Sequence, residues 1–224
     1  MTGESNIATL KNTNNELYMV PGDACVIAAP WVQGACPTAI TTDAQGDLLP
    51  LPMGWQSLGE LDQKAGIKIT PDKKTNDILG YGSIVPRGSV NTAMSVTAEF
   101  SIQEWTEIGA ALYWDVDKAS VTVDPTTGEW QIAKSATPEV NYYSLIIVGQ
   151  DITSGQGYRF PYWIFPKAMV TKQSAQSLSM SEALLMPVTF TAYTDDTLGE
   201  FLITGAGGPG VQATNTAAGF VEGS

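Results

Sequence analysis

Between Thr92 and Trp114 the hydrophobic period changes once, and that change narrows the folds open to the chain. Met94, Val96, Ala98 and Phe100 are apolar, while Ser95, Thr97 and Glu99 are polar. A period of two marks a strand with one buried face and one wet face. From Ser101 the period lengthens. Ser101 and Glu104 form an S-x-x-E capping box, with Phe100 and Trp105 placed as a hydrophobic staple. Trp105, Ile108 and Leu112 then recur at helical spacing. Gly109 weakens this helix by ~1 kcal/mol relative to alanine, so it is expected to be short and held by packing. A strand feeding a short amphipathic helix, in a chain otherwise rich in strands, predicts a mainly β fold. The expected form is a β-sandwich or barrel of two packed antiparallel sheets with one short flanking α-helix.

Composition excludes several functions. The 224 residues, 43% of them hydrophobic, suffice for one large domain or two small ones with a real core. No run of 18 apolar residues exists, so no membrane span is expected. The N-terminus lacks the basic region and apolar stretch of a signal peptide. Eleven basic residues against 23 acidic ones give a net charge of −12. Binding nucleic acid through phosphates needs clustered Lys and Arg; an acidic surface instead keeps DNA from adhering. There is no histidine, which removes Ser-His and Cys-His dyads, imidazole metal ligands and the usual near-neutral general base. Cys25 and Cys36 match no metal spacing. A buried pair of free thiols is expected, with a disulfide as the alternative in an oxidising setting.

Read in order, residues 1–20 form an extended N-terminal arm with few anchors, among them Leu10, Leu17 and Tyr18, mobile unless a neighbouring chain holds it. Residues 21–204 form a single β-rich domain. Asp23–Ala29 is a short apolar strand closed by Pro30. Trp31–Met53, with Pro37, Pro50 and Pro52, is a long connection, which in a compact domain is usually functional or packed on something. Trp55–Glu60 and Ala65–Thr70 are candidate strands, the second ended by Pro71. Residues 72–91 contain Ile78, Leu79, Tyr81, Ile84 and Val85 among glycines, with Arg87 beside them. That apolar content asks for a partner. Two readings stand: a hairpin extension that leaves the body and docks elsewhere, or a loop folded back on its own core.

Asp124-Pro125-Thr126-Thr127-Gly128 between two alternating segments marks a hairpin. Tyr142–Val148 is an apolar strand buried on both faces. Tyr158–Val170 is aromatic and strand-like, and Pro161 and Pro166 imply an edge, bulge or bend. Ser181–Met186 has the propensity for a helical turn, Pro187–Tyr193 is a strand and Phe201–Thr204 a short one. Residues 205–224 form a Gly/Ala/Thr tail that is expected to stay flexible. The count is eight to ten strands, one helix and two loose ends.

Local signatures of chemistry are missing. Asp115/Asp117, Asp195/Asp196 and Asp43/Asp47 lack the ligand number and closing Glu of a calcium loop and read as solvated turn residues. A glycosidase carboxylate pair leaves no local signature and stays the enzyme alternative. Gly205–Gly210 lacks the GK[ST] ending and the following helix of a phosphate loop. Tyr158, Phe160, Tyr162, Trp163 and Phe165 read as a core strand before a stacking platform. No catalytic, cofactor-binding or metal-binding residue is expected, no cofactor is called for, and the chain is not expected to be an enzyme. A mobile arm, a protruding apolar loop and an acidic surface are instead parts of a self-assembling protein.

The layout of Trp55–Val90, of Thr92–Trp114 with its Ala-Ala-Leu-Tyr-Trp ending, of Phe165–Val170 and of Pro187–Gly199 resembles the major tail proteins, or tail tube subunits, of long-tailed bacteriophages over about residues 20–204. The Trp31–Met53 connection does not map onto that family. The resemblance implies a structural virion protein, assembled in the host cytoplasm, whose rings, commonly of six subunits, stack into a hollow tube. Genome DNA passes through the tube without specific binding. The implied partners are further copies of the chain, a tape measure protein and tail tip and terminator proteins. An acidic wall would repel phosphate within roughly one Debye length of ~8–10 Å. The expected lumen face is Lys68, Thr70, Ser95, Thr97 and Glu99, with Lys68 at odds with a uniformly acidic wall. The expected inter-ring contact is Ile78, Leu79, Tyr81, Ile84, Val85 and Arg87, with Leu10, Leu17 and Tyr18 as arm contacts. The alternative is a β-sandwich virion or surface module that binds carbohydrate or a receptor through the aromatic strand.

Overall fold

The computed structural model describes residues 7, 11, 13–41, 46–50, 52–137, 139–152, 155 and 157–220. Its strands are β1 (Pro21–Pro30), β2 (Gln56–Ser57), β3 (Lys68–Ile78), β4 (Gly88–Ile102), β5 (Val121–Val123), β6 (Trp130–Ile132), β7 (Tyr143–Asp151), β8 (Phe160–Gln173), β9 (Met186–Tyr193) and β10 (Ile203–Gly207). The described residues include helices α1 (Glu107–Trp114) and α2 (Pro209–Ala218). The main antiparallel sheet runs β2-β1-β7-β8-β9-β4-β3, with β10 added on β8, while β5 and β6 form a separate two-stranded sheet. The architecture is mainly β and fits a sandwich.

Alternation places one core inside the curved sheet. Val26 and Ala28 of β1, Leu145 and Ile147 of β7, Val188 and Phe190 of β9, and Val96, Ala98, Phe100 and Ile102 of β4 share a single cluster, closed by Ile108 and Leu112 of α1. Phe100 stacks on Phe190 with ring centroids 5.5 Å apart. The opposite face of β7 and β8 carries a second cluster of Ile146, Val148, Phe160 and Ile164, covered by Cys36 and Ile40. The long connection is therefore packed on the sheet. β7 is buried on both faces, as its unbroken apolar run predicts.

The β8 prolines mark a real irregularity. Residues 160–164 pair with β10, and residues 167–173 pair with β9. The β7 register shifts between Tyr143 and Leu145, opposite Pro166, whose carbonyl accepts a 2.7 Å bond from Ser144 Oγ. A proline in this strand is tolerated at the bulge, where ladder pairing is already interrupted.

Several sequence expectations need correction. The capping box does not form: pairing of β4 with β9 continues through Ile102 and takes Ser101 into the sheet opposite Pro187. The helix starts at Glu107, where Thr106 Oγ1 accepts from Gly109 N at 3.1 Å. Trp105 lies outside it and donates from Nε1 to the Leu184 carbonyl at 3.3 Å. That contact draws on residues 181–185, which are not helical. Pro71 does not end its strand, because β3 is a sheet edge, where proline is tolerated. The Trp55–Glu60 strand shrinks to Gln56–Ser57, with Leu58 N still donating to Val26 O.

The flexible-tail expectation fails for residues 205–218. β10 gains order from backbone pairing with β8, not from burial of large side chains. At Gly205 an added Cβ would stand 2.8 Å from Tyr162 Oη, so a larger residue there would have to displace that ring. α2 follows the glycine run, with Pro209 at its first turn and Gly219 as a left-handed C-cap. Gly210 N donates to Tyr158 O at 3.0 Å and ties the helix to the body. Residues 221–224 lie outside the described residues.

Candidate functional site

The β3–β4 hairpin sets the geometry of the candidate site. Directly opposed residues of an antiparallel pair share a face. Lys68 is opposite Glu99, Thr70 opposite Thr97, and Asp72 opposite Ser95. On the other side of β4, Thr97 faces Thr191 and Glu99 faces Thr189. The five residues read as a lumen face therefore come together, joined by Asp72, Thr189 and Thr191. Thr171 Oγ1 lies 2.9 Å from Thr191 Oγ1 and extends the row of hydroxyls onto β8. Lys68 Nζ reaches Glu99 Oε1 at 4.0 Å across exposed surface, so the lysine that argued against an acidic wall stands beside an opposite charge. Such an exposed pair adds at most ~1 kcal/mol. The face is hydroxyl-rich, with Lys68 set against Glu99 and Asp72 leaving one carboxylate in excess.

Val96, Ala98 and Phe100 point the other way, into the core. Met94 does not follow them and is exposed. The reason is topological: β4 meets β9 only from Thr97 onward. Residues 88–96 have only β3 as a paired strand among the described residues, so there is no core beneath Met94.

That two-stranded ribbon resolves the alternative left open for residues 72–91: the segment leaves the body. At its end Ile78, Leu79, Tyr81, Ile84 and Val85 are all exposed, Tyr81 at 111% and Ile84 at 96%. Arg87 N donates to Ile78 O at 2.9 Å and closes the ladder below the turn, and the Arg87 side chain packs over Gly80. The hairpin end is thus an exposed apolar tip with Arg87 beside it.

The N-terminal arm is anchored by a device that the sequence did not announce. Arg159, only 1% exposed, pairs with buried Asp151. Its Nε donates to Asp151 Oδ2 at 2.6 Å, and its remaining nitrogens donate to the carbonyls of Glu16 and Tyr18. Asp151 Oδ1 accepts from Val20 N at 2.9 Å. Residues 16–20 are therefore bound through backbone atoms by their own chain, which corrects the picture of an arm held only by a neighbour. Tyr18 keeps an exposed side chain; Leu10 lies outside the described residues. No spacing rule points to Arg159, which sits immediately before β8, eight residues after its partner.

Asp195 is not the solvated turn residue its neighbourhood suggests. It is fully buried and accepts from Trp31 Nε1 at 2.9 Å, Gly34 N at 3.1 Å, Thr197 N at 2.9 Å and Leu198 N at 3.3 Å. Burial alone would raise its pKa, but these donors outweigh it and hold the carboxyl below its ordinary value. It fastens the long connection to the β9–β10 turn. Cys36 is buried and Cys25 exposed, both as free thiols, so the expected buried pair is corrected. β1 alternation turns Cys25 away from the face that carries Val26. Burial, assisted by the Asp195 charge, pushes the Cys36 thiol up to about 12.

Among the described residues, no three His, Cys, Asp or Glu side chains gather as a metal cage would require. No helix among them is long and apolar enough to cross a membrane. Of the five aromatic side chains that motivated a carbohydrate-binding alternative, Phe160 and Phe165 are buried, Tyr162 and Trp163 are partly buried, and Tyr158 is exposed.

A family model described as Phage tail tube protein matches residues 11–204. The chain belongs to the phage tail tube protein family. No curated protein matches the chain. Membership makes it a structural component of the virion tail, of a kind that self-assembles into oligomeric tubes. The match runs from the anchored arm to the start of β10, so it takes in the hairpin, the hydroxyl face and the long connection.

Proposed function

We propose that this tail tube protein forms rings, six subunits being the number its family resemblance implies, and that the rings stack into a conduit for genome DNA. In this reading Lys68, Thr70, Ser95, Thr97 and Glu99 face the lumen. Residues 78–87 bridge to the next ring, and the arm with Leu10, Leu17 and Tyr18 reinforces that contact. The domain from residue 21 to 204 is the ring-forming body. A tape measure protein and tail tip and terminator proteins are the further partners.

The single observation that carries this reading is the division of labour along the β3–β4 hairpin. Its base is polar on one face and core-packed on the other, while its far end leaves the body with five large apolar side chains exposed. A lone subunit gains nothing from that exposure; a stacked one buries it, at ~25 cal/mol per Å² of apolar surface. The hydroxyl face would let DNA slide because it offers no cluster of cations to hold phosphate. With a net charge of −12 on the chain, long-range repulsion of DNA would come from the subunit as a whole more than from this face.

The test is electron microscopy of the concentrated protein beside a variant lacking residues 77–87. The intact chain should give tubes or stacked rings. The variant should keep its far-UV circular dichroism and fail to stack. A deletion variant that still polymerises would remove the hairpin from the inter-ring contact.

A further inference from the structure

The face of the subunit that receives the hairpin tip is open to inference, and the structure offers one candidate. β1 and β7 bury Val26, Ala28, Leu145 and Ile147 in the main core, and by alternation present Cys25, Ile27, Ile146 and Val148 on the opposite side. The long connection crosses that side, and between them lies an apolar cavity of about 210 Å³, with Ile40 and Leu48 among its walls. A dry apolar cavity of about 150 Å³ accepts benzene, so this one has room for a Tyr ring or a branched aliphatic side chain. Its mouth is not sealed: Leu48 and Leu49 remain exposed.

Charge selects the occupant. Residues 68–88 carry Lys68, Lys73, Lys74 and Arg87 against Asp72 and Asp77, a net +2 in a chain of net −12. The segment that builds the cavity is of opposite sign. Residues 12–63 contain no Lys or Arg, and Asp23, Asp43 and Asp47 fall within residues 21–53. A cationic limb with an apolar end complements an apolar cavity on an acidic wall. The limb does not occupy its own chain's cavity, since Tyr81 and Ile84 are fully exposed. A tip and a cavity on different surfaces of one subunit make a heterologous contact, which repeats from copy to copy and propagates as an open stack instead of closing a dimer.

We infer that the cavity lined by Cys25, Ile27, Ile40, Leu48, Ile146 and Val148 is the receptor for the hairpin tip of a second copy of this chain, with Tyr81 or Ile84 as the inserted side chain. This rests on the reading that the hairpin docks on a neighbouring subunit, and it assigns the surface on which it docks. It also accounts for the long connection, whose prolines and leucines complete a socket that the strands alone would leave as an open face.

Cys25 makes the inference testable, because one wall of the socket already carries an accessible thiol. Tyr81→Cys and Ile84→Cys would be assembled and mildly oxidised with diamide. At least one should give intermolecular disulfide ladders on a non-reducing gel, lost in the Cys25→Ser background. Maleimide should label Cys25 in dispersed subunits and fail to label it in tubes. As a second variant, Leu48→Glu should leave the subunit folded by circular dichroism and abolish stacking. An intramolecular disulfide would place the tip in its own chain's socket and overturn the inference. So would tubes in which Cys25 stays open to maleimide, no ladder forms and Leu48→Glu still stacks. If those results accompany a hairpin deletion that blocks stacking, the socket is wrong while the hairpin's role stands. If the hairpin deletion stacks normally, the underlying reading fails with it.

Discussion

Replacing Arg159 with methionine separates the energetics of the buried latch from those of the arm it holds. In the native chain both partners are desolvated, the Arg159 side chain being 2% exposed and that of Asp151 0%. Taking away one member strands the other charge in a poor solvent, a loss of ~3–5 kcal/mol. The carbonyls of Glu16 and Tyr18 lose their donors too, but they sit on an arm that can swing out and rehydrate, so their share is smaller. Against a total stability of ~5–15 kcal/mol, the single substitution should be severe. The assay is urea unfolding followed by tryptophan fluorescence, in a background lacking residues 77–87 so that assembly does not add to apparent stability. The midpoint should fall with little change in slope. Chymotrypsin should cut after Tyr18 faster than in the parent. The double variant Arg159→Met with Asp151→Leu should recover much of the lost stability, because no unpaired charge remains, yet its arm should still be cut quickly. A loss below ~1 kcal/mol, the range of an exposed ion pair, or an arm as resistant as the parent's, would refute the reasoning.

Other consequences are smaller in scale. Asp195→Asn keeps the shape but turns an amide nitrogen toward backbone donors, and should cost ~2–4 kcal/mol at pH 7. Because the folded carboxyl titrates below its ordinary 3.8, its contribution is present above that pH and is lost as pH falls through the folded pKa; the gap between parent and variant should close only in that acid window. Thr106→Ala removes the cap on Gly109 N and should cost ~1 kcal/mol in the same urea assay. A thiol titration at pH 8 should leave Cys36 silent until the chain is unfolded, since burial has pushed it up to about 12.

The legible parts of this chain were those fixed by local periodicity. Val96, Ala98 and Phe100 declared a core face, the turn at Asp124–Gly128 declared the β5–β6 hairpin, and the Tyr142–Val148 run declared a strand buried on both sides. The misread parts were those decided by a partner distant in sequence. Ser101 and Glu104 have good capping chemistry, but β9 is a stronger claimant for that backbone. Met94 continues the apolar alternation past the point where there is anything to bury it. The glycines after Ile203 give no apolar incentive to order, yet the edge of β8 supplies backbone pairing along residues 203–207. Arg159 and Asp195 look like ordinary surface charges in one dimension. Only the fold brings a buried carboxylate to one and four donors to the other. For the candidate site, the face residues were legible because alternation assigns faces directly, whereas the cavity under the long connection depends on how a proline-rich loop lies across two strands.

The most direct measurement is a helical reconstruction of assembled tubes by electron cryomicroscopy. It should place Lys68, Thr70, Ser95, Thr97 and Glu99 on the wall of an open lumen, with the tip of each β3–β4 hairpin in the next ring. Tubes that turn this hydroxyl face outward, or whose rings meet without the hairpins, would contradict the assignment of this strand pair.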